Sequence, residues 1–340
     1  MKRVNCLVCK SEKIKTVLDL GLQPFADTFI PKEMLDLTEP IHPLCVDLCC
    51  DCGHVQTHIQ TNPDDRYSKY EYSFLSSSSN IAKSHWKDYA QEITNKPNLS
   101  KDAFVLEIGS NDGFLGKCFH ELGYMNYLGV DASPVMVEIA NSQNIKSIQG
   151  LFNVEIANQL IQKHDHASLV IANNVFNHID DLHEFIKSID LILSEEGCFV
   201  FEVPYWLIEF EKKNFGKIYH EHVSYFTISS LKRLFDLFGF NIIDIQINNY
   251  HGGTMRVSVG RMNENTALVD KFLKKEKNSG VHRQDSYMPI SEFLHKQRID
   301  LIYKLLSYKK KGIPIIGIGA AAKGNTFINF HNLDFKSIDY

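Results

Sequence analysis

The densest set of reactive side chains in this 340-residue chain is Tyr219-His220-Glu221-His222, with Ser224 and Tyr225 just beyond. An imidazole takes up or releases a proton near neutral pH, and a neighbouring carboxylate can raise its basicity or fix its tautomer. Adjacent residues diverge on a regular helix or strand. Glu221 therefore serves His222 only on irregular backbone; otherwise it is left to contact a substrate. Proton transfer or substrate binding is the chemistry this cluster suits. The His-x-His spacing also admits a metal, but no third strong ligand stands close by in the sequence, and structural histidines are the plain alternative.

A second constellation surrounds a glycine turn. The apolar run Val105-Leu106-Glu107-Ile108 leads straight into Gly109-Ser110-Asn111-Asp112-Gly113, and an amphipathic segment follows. Gly109 allows a sharp turn, and Gly113 lets a helix start beside it. A dinucleotide fingerprint would read GxGxxG; here the pattern is Gly-x-Asn-x-Gly with an acid, Glu107, before it. A carboxylate there repels pyrophosphate and suits a cationic ligand. S-adenosylmethionine (SAM) fits, since it carries an ammonium and a sulfonium and no pyrophosphate. Asp131 ends the next apolar run, where a carboxylate can hold both ribose hydroxyls, and Phe152 follows a third and can border the adenine. Asn173 and Asn174 follow a fourth run and can close over the methionine end. A nicotinamide cofactor and a turn without ligand are the alternatives.

Two further groups fall where ligands of open α/β sheets bind, beyond the carboxyl ends of the strands. Glu202 and Tyr205 end one run and can shape a substrate side. His251-Gly252-Gly253-Thr254-Met255-Arg256 precedes the last run; His251 can donate a bond, and Arg256 can pair with a phosphate or with a carboxylate of the fold. Tyr67, Tyr70 and Tyr72, followed by Ser76 to Ser79, are too polar for simple core. Their phenols can bond a sugar or an enolate oxygen.

Cysteines carry the third constellation. Cys6-x-x-Cys9 and Cys49-x-x-Cys52 form two knuckles roughly 40 residues apart, and each can give two thiolates to a tetrahedral zinc ion. Four cysteines make a closed, structural site, whose binding energy would help fold a lobe with little core of its own. Cys50, Cys45 and His54 are substitute ligands. Buried free cysteines and a redox dithiol are the other readings.

The elements that must position these groups follow from the alternation of apolar runs. Residues 1–66 read as irregular and cysteine-rich, and 67–100 as a tyrosine-rich linker followed by a helix over 81–93. Strands are expected at 103–108, 126–131, 168–173, 197–203, 240–248 and 254–260, and helices at 113–122, 134–142, 181–193 and 229–238. Such alternation over 101–260 predicts a mostly parallel sheet with helices on both faces. A second strand–glycine–helix unit is expected within 261–340, at KGIPIIGIGAAAKGNTFINF.

Composition sets bounds. Hydrophobic residues make up 44% and charged residues 23%, with a formal net charge of -5, which is ordinary for a folded enzyme and offers no basic stripe for nucleic acid. The N-terminus lacks the apolar stretch of a signal peptide. The best late apolar run, 313–322, is about half a membrane span. A cytoplasmic protein with no membrane or nucleic-acid partner is expected.

The cysteine knuckles, QPFADTF, YEYSFLSSSS, VLEIGSNDG, GVDAS, NNVFNHIDDL, FEVPY, IYHEHVSYF, HGGTMR and GAAAKGNT occur in an order and spacing that covers nearly the whole chain. Together they resemble the sugar C-methyltransferases of deoxysugar pathways, which act at C-3 of nucleotide-linked 4-ketohexoses. The resemblance implies an α/β protein. Its central class I SAM-methyltransferase (Rossmann-like) fold, 101–260, would follow an N-terminal zinc-binding domain, 1–66, and the linker and helix at 67–100, which contribute to the substrate site. A C-terminal nucleotide-fold-like domain, 261–340, completes it. This last domain reads as incomplete, since the chain stops at SIDY inside what looks like one of its strands.

By residue, the resemblance places the general base on His222, with Glu221 and Tyr219 beside it, and an aromatic helper on Tyr72, or Tyr70 if the alignment slips. Glu107, Gly109, Asn111, Gly113, Asp131, Phe152, Asn173 and Asn174 are the expected SAM residues. Tyr72, Glu202, Tyr205, His220, His251 and Arg256 are the expected substrate residues, and Cys6, Cys9, Cys49 and Cys52 the Zn2+ ligands. The implied reaction is SAM-dependent methylation at C-3 of a nucleotide-linked 4-keto-6-deoxyhexose through an enolate, by a monomer or, alternatively, a dimer. An O- or N-methyltransferase and a non-catalytic nucleotide-sugar-binding protein are the competing readings.

Overall fold

A computed structural model of the chain describes residues 1–26, 30–34, 36–62, 75–95, 99–319 and 321–339. The chain divides into two units, neither continuous in sequence. One comprises residues 1–71, 206–229 and 274–340, the other 72–205 and 230–273.

The second of these is built on a seven-stranded sheet. Its strands are β4 (Val105–Ile108), β5 (Tyr127–Asp131), β6 (Ser147–Gln149), β7 (Ala167–Ile171), β8 (Leu193–Pro204), β10 (Asn241–Asn248) and β11 (Thr254–Gly260), in spatial order β6-β5-β4-β7-β8-β11-β10. Five strands are parallel, and β11 runs antiparallel between β8 and β10. The parallel sheet expected between 101 and 260 is thus present, as the class I methyltransferase fold requires, and the order reverses at β4, where the glycine turn leaves the sheet.

Side chains alternate faces along a strand, and both faces here are covered. On one, α1 (Asn80–Thr94) lays Ala82, Trp86, Tyr89, Ala90 and Ile93 against Val105, Leu169 and Val200, joined by Phe119 of α2 (Phe114–Glu121) and Tyr127. The spacing of these α1 residues keeps one helix face apolar, and Ser79 caps the helix by accepting from Ala82 N at 3.1 Å. On the other, Phe199 and Phe201 of β8 pack with Phe176, with Phe185 of α5 (Leu182–Ile192) and with Phe235. Helices α3 (Pro134–Ser142) and α4 (Val154–His164) complete the alternation; α4 lies outside the expected set, and β6 ends at Gln149, where Phe152 follows as expected.

The first unit carries its own antiparallel sheet, β1 (Ile14–Gln23), β2 (His42–Cys49), β3 (Val55–Thr57) and β9 (Ser224–Tyr225). These strands correct the expectation of irregular chain over residues 1–66: Leu18, Leu20, Leu44, Val46 and Leu48 are buried at strand spacing. Around the sheet lie α6 (Trp206–Glu211), α9 (Met288–Lys310) and α10 (Ala322–His331). Trp206 Nε1 donates to the Tyr287 hydroxyl at 2.9 Å. The buried Glu276 carboxylate, on α8 (Thr266–Ser279), accepts from Ile228 N at 2.6 Å and Ser229 N at 2.9 Å, capping the helix α7 (Ile228–Asp236) that starts there.

Of the second strand–glycine–helix unit, the helix forms as α10. The segment 313–319 joins neither sheet; instead Ile315 N donates to Asp339 Oδ2, and Asp339 N donates to the Ile315 carbonyl, both at 2.8 Å. Among the described residues, no helix is long and apolar enough to cross a membrane.

Candidate active site and metal centre

In the first unit, residues 216–222 form irregular turns, the backbone on which neighbouring side chains can converge. His222 N closes one of them by donating to the Tyr219 carbonyl at 3.0 Å. His222 Nδ1 lies 2.8 Å from the Lys217 carbonyl, which can only accept. The ring proton therefore sits on Nδ1, and Nε2 carries the lone pair. The Tyr219 hydroxyl stands 2.5 Å from that nitrogen and donates to it. The neutral form of His222 thus has its basic nitrogen defined, in contact with a phenol through which a proton can pass. His222 is 7% exposed.

The other two members of the cluster face elsewhere. Glu221 Oε1 accepts from Ala26 N at 3.1 Å. His220 is buried against Phe25 and His42, with Nε2 3.3 Å from the Pro43 carbonyl, and burial pushes its pKa down to about 4. Tyr70 and Tyr72 lie outside the described residues.

In the second unit, Gly109, Asn111 and Gly113 all have positive φ, at 72°, 51° and 77°, so the turn alternates into the left-handed region that favours glycine and asparagine. Space is tight there as well: a Cβ at Gly109 would come 2.2 Å from Val175 Cγ2, and one at Gly113 2.9 Å from Ala140 Cβ. Asp131 closes the turn from the neighbouring strand, accepting from Asn111 N at 2.8 Å and Ser133 N at 2.9 Å. Burial raises its pKa against those two amides. The serine run reaches the same turn, Ser76 N donating to Asn111 Oδ1 at 2.8 Å and Ser77 N to Asp112 Oδ2 at 3.0 Å.

Glu107 is buried beneath, accepting from the Tyr127 hydroxyl. Burial raises its pKa to about 8; the tyrosine bond opposes the rise, and Asp131 and Asp112 add to it. Phe152 stands at the end beyond β6, edge-on to Phe185 at 6.1 Å.

At the carboxyl end of β8, Asn173 Oδ1 accepts from Glu202 N at 2.9 Å, and Asn174, at φ 54°, donates from its N to the Glu202 carbonyl at 2.7 Å. The Glu202 side chain is wholly buried. Its Oε1 accepts from Arg256 Nε at 2.7 Å and Asn248 Nδ2 at 3.1 Å, and its Oε2 faces His85 Nε2 at 2.8 Å. Register explains the arrangement, because Glu202, Arg256 and Gln246 stand opposite one another across β8, β11 and β10. Arg256 also meets Glu92 at 2.5 Å and lies over the Tyr89 ring at 4.2 Å.

Both charged groups expected to contact substrate are therefore engaged inside the unit, Arg256 by the fold carboxylate that was its alternative partner. Tyr205 is buried against Phe272. His251 sits at φ 51° in the turn between β10 and β11, its ring 4.0 Å from that of Tyr250. His85 carries no signal in the sequence; only the strand register and the helix phase bring it to Glu202.

Cys6, Cys9, Cys49 and Cys52 converge so that all four sulfurs lie within 4.8 Å of one another, with Cys6–Cys52 and Cys9–Cys49 at 3.6 Å. Tetrahedral zinc with bonds of about 2.3 Å needs sulfurs roughly 3.8 Å apart, so the four fit it. Each knuckle closes with a backbone bond to its first cysteine, Lys10 N to the Cys6 carbonyl and Gly53 N to the Cys49 carbonyl, and a positive φ follows each second cysteine, at Lys10 and Gly53. Cys45, Cys50 and His54 stand outside the cluster, which settles the choice of ligands the sequence left open. Four thiolates with no open position suit a structural zinc ion.

Comparison with known proteins finds three family models along the chain. Residues 6–67 match a family model for a zinc binding domain, 83–245 one for a methyltransferase domain, and 249–340 one for a C-methyltransferase C-terminal domain. The C-methyltransferase NovU of Streptomyces niveus is 27% identical over 340 residues, 99% of this chain and 80% of that protein. A ribosomal protein L11 methyltransferase of Alkaliphilus oremlandii is 32% identical over 104 residues, 30% of this chain and 32% of that protein. Among solved structures, a SAM-dependent methyltransferase from Clostridium acetobutylicum aligns with a TM-score of 0.43 and 18% identity, over 55% of this chain and 94% of that one.

Proposed function

This chain belongs to the SAM-dependent C-methyltransferase family, and from that premise we propose that it methylates C-3 of a nucleotide-linked 4-keto-6-deoxyhexose. A ketone at C-4 acidifies the neighbouring C-3 proton, and removing that proton makes the carbon a nucleophile. The observation that carries the reading is the His222–Tyr219 pair. Its defined tautomer leaves Nε2 as base, and the Lys217 carbonyl stabilises the imidazolium that forms when Nε2 takes the proton. The Tyr219 hydroxyl can pass that proton on or donate to the enolate oxygen, where a donor aimed at developing charge contributes strongly.

SAM supplies the electrophilic methyl when bound. Asp131 is the residue for its ribose hydroxyls, the Gly109–Gly113 turn with Glu107 for its methionine end, Asn173 and Asn174 for closing over that end, and Phe152 for its adenine. Glu221 and His220 support the loop that carries His222, and Tyr72 or Tyr70 remains the proposed aromatic helper. His251 is the proposed substrate contact on the β10–β11 turn. Glu202 and Arg256 hold the β8 edge in shape.

The test is incubation with SAM and a panel of dTDP-, GDP- and CDP-linked 4-keto-6-deoxyhexoses. One product should gain a single CH2 by mass spectrometry, and NMR should place the new methyl on C-3. A methyl on oxygen or nitrogen moves the chain to a different reaction. No S-adenosylhomocysteine with any panel member removes the proposal.

A further inference from the structure

We propose that His85 binds the methyl acceptor, its Nδ1 accepting a hydrogen bond from an acceptor hydroxyl while Glu202 holds the ring. The inference rests on the methyltransferase reading, but its residues lie outside every group assigned above to the proton transfer.

The Glu202 carboxylate is an acceptor, buried, and already paired with the Arg256 guanidinium. Glu202 Oε2 accepts from the ring, so the neutral form of His85 carries its proton on Nε2. That tautomer leaves the lone pair on Nδ1. Nδ1 has no partner among the described residues, and the side chain retains 13% exposure. The ring cannot easily turn away. Tyr250 stacks on it at 3.9 Å with planes 6° apart, and Trp86 stands edge-on at 4.7 Å.

Position adds the ligand. Glu202 is two residues from the carboxyl end of β8, and Tyr250 lies in the turn that follows β10 at the same edge. Ligands of open α/β sheets bind beyond that edge. Helix α1, which carries His85, starts just after Ser76 and Ser77, whose amides hook the glycine turn. A rigid ring-nitrogen acceptor at such an edge selects a donor, and a sugar hydroxyl is the donor the proposed substrate class offers.

Two variants separate these roles. His85→Gln can keep an N–H toward Glu202 but has no acceptor at the Nδ1 position; His85→Asn places an amide near Nδ1 and loses the bond to Glu202. With the 4-keto sugar nucleotide that the wild-type chain methylates, His85→Gln should raise the acceptor KM about tenfold, the factor typical of one lost hydrogen bond. His85→Asn should recover part of that loss, and the KM for SAM should hold in both. Acceptor KM within twofold of wild type in His85→Gln overturns the proposal, as does an equal loss of SAM and acceptor binding.

Long-range 1H–15N imidazole spectra of the full chain, with S-adenosylhomocysteine and dTDP-glucose added, give a readout without turnover. The unprotonated His85 nitrogen should move on adding the nucleotide sugar. If His222 responds and His85 does not, this inference fails alone. If neither responds and nothing in the panel is methylated, the sugar-nucleotide reading fails with it.

Discussion

Glu107 shows how much one side chain can decide. Buried beneath the glycine turn, it titrates near 8 rather than near 4.5, because burial penalises its charged form and Asp131 and Asp112 repel it. A carboxyl whose folded pKa lies above its unfolded value costs nothing at low pH and costs most when ionised. Stability should therefore fall as pH rises from about 4.5 to about 8, by an amount on the order of a few kcal/mol. Glu107→Gln should flatten that slope. Urea unfolding at stepped pH checks it, and parallel profiles for the two proteins would contradict it. The acid itself is legible in the sequence, as the unusual feature beside a glycine turn. Its pairing with Tyr127 is not, because 20 residues and a strand register separate the two.

At the scale of elements, the strands and helices of the parallel sheet announce themselves through apolar runs and caps, most of them within a few residues. The N-terminal lobe does not. Its strands are broken by Gly21, by proline and by two cysteine knuckles, so the period of two in Leu18, Leu20, Leu44, Val46 and Leu48 passes for irregular chain. Residues 313–319 mislead the other way, since an apolar run makes a strand only where a neighbour pairs with it.

The row Glu202–Arg256 across β8 and β11 is equally hidden, because only register aligns residues 54 positions apart. Breaking a buried ion pair from one side leaves an uncompensated charge and costs about 3–5 kcal/mol. Glu202→Ala should lose about 3 kcal/mol, softened by the remaining Glu92 contact, while the double change Glu202→Leu with Arg256→Met should lose far less. Denaturant midpoints compare them. A double variant no more stable than the single one would show that the charges, and not their pairing, sustain the edge.

At the scale of the whole molecule, the four-cysteine centre and the His222 loop belong to the first unit and the glycine turn to the second. The four-cysteine centre is of the closed kind whose metal binding helps fold a small lobe. Purified protein should contain about one zinc per chain. Cys6→Ser should lower that content and the melting temperature together; unchanged melting in zinc-free protein would deny the metal its structural role. The transferase chemistry is expected from the imidazole of His222 and from a cofactor held at the glycine turn, and the order and spacing of the family's motifs are what single those residues out in the sequence.

The central claim is that His222 Nε2 removes a carbon-bound proton. Proton NMR of the 4-keto sugar nucleotide in D2O, with enzyme and S-adenosylhomocysteine but no methyl donor, tests it directly. The wild-type chain should wash out the C-3 proton, while His222→Asn, still binding S-adenosylhomocysteine, should leave it in place. Washout at the same rate in both proteins would contradict the account.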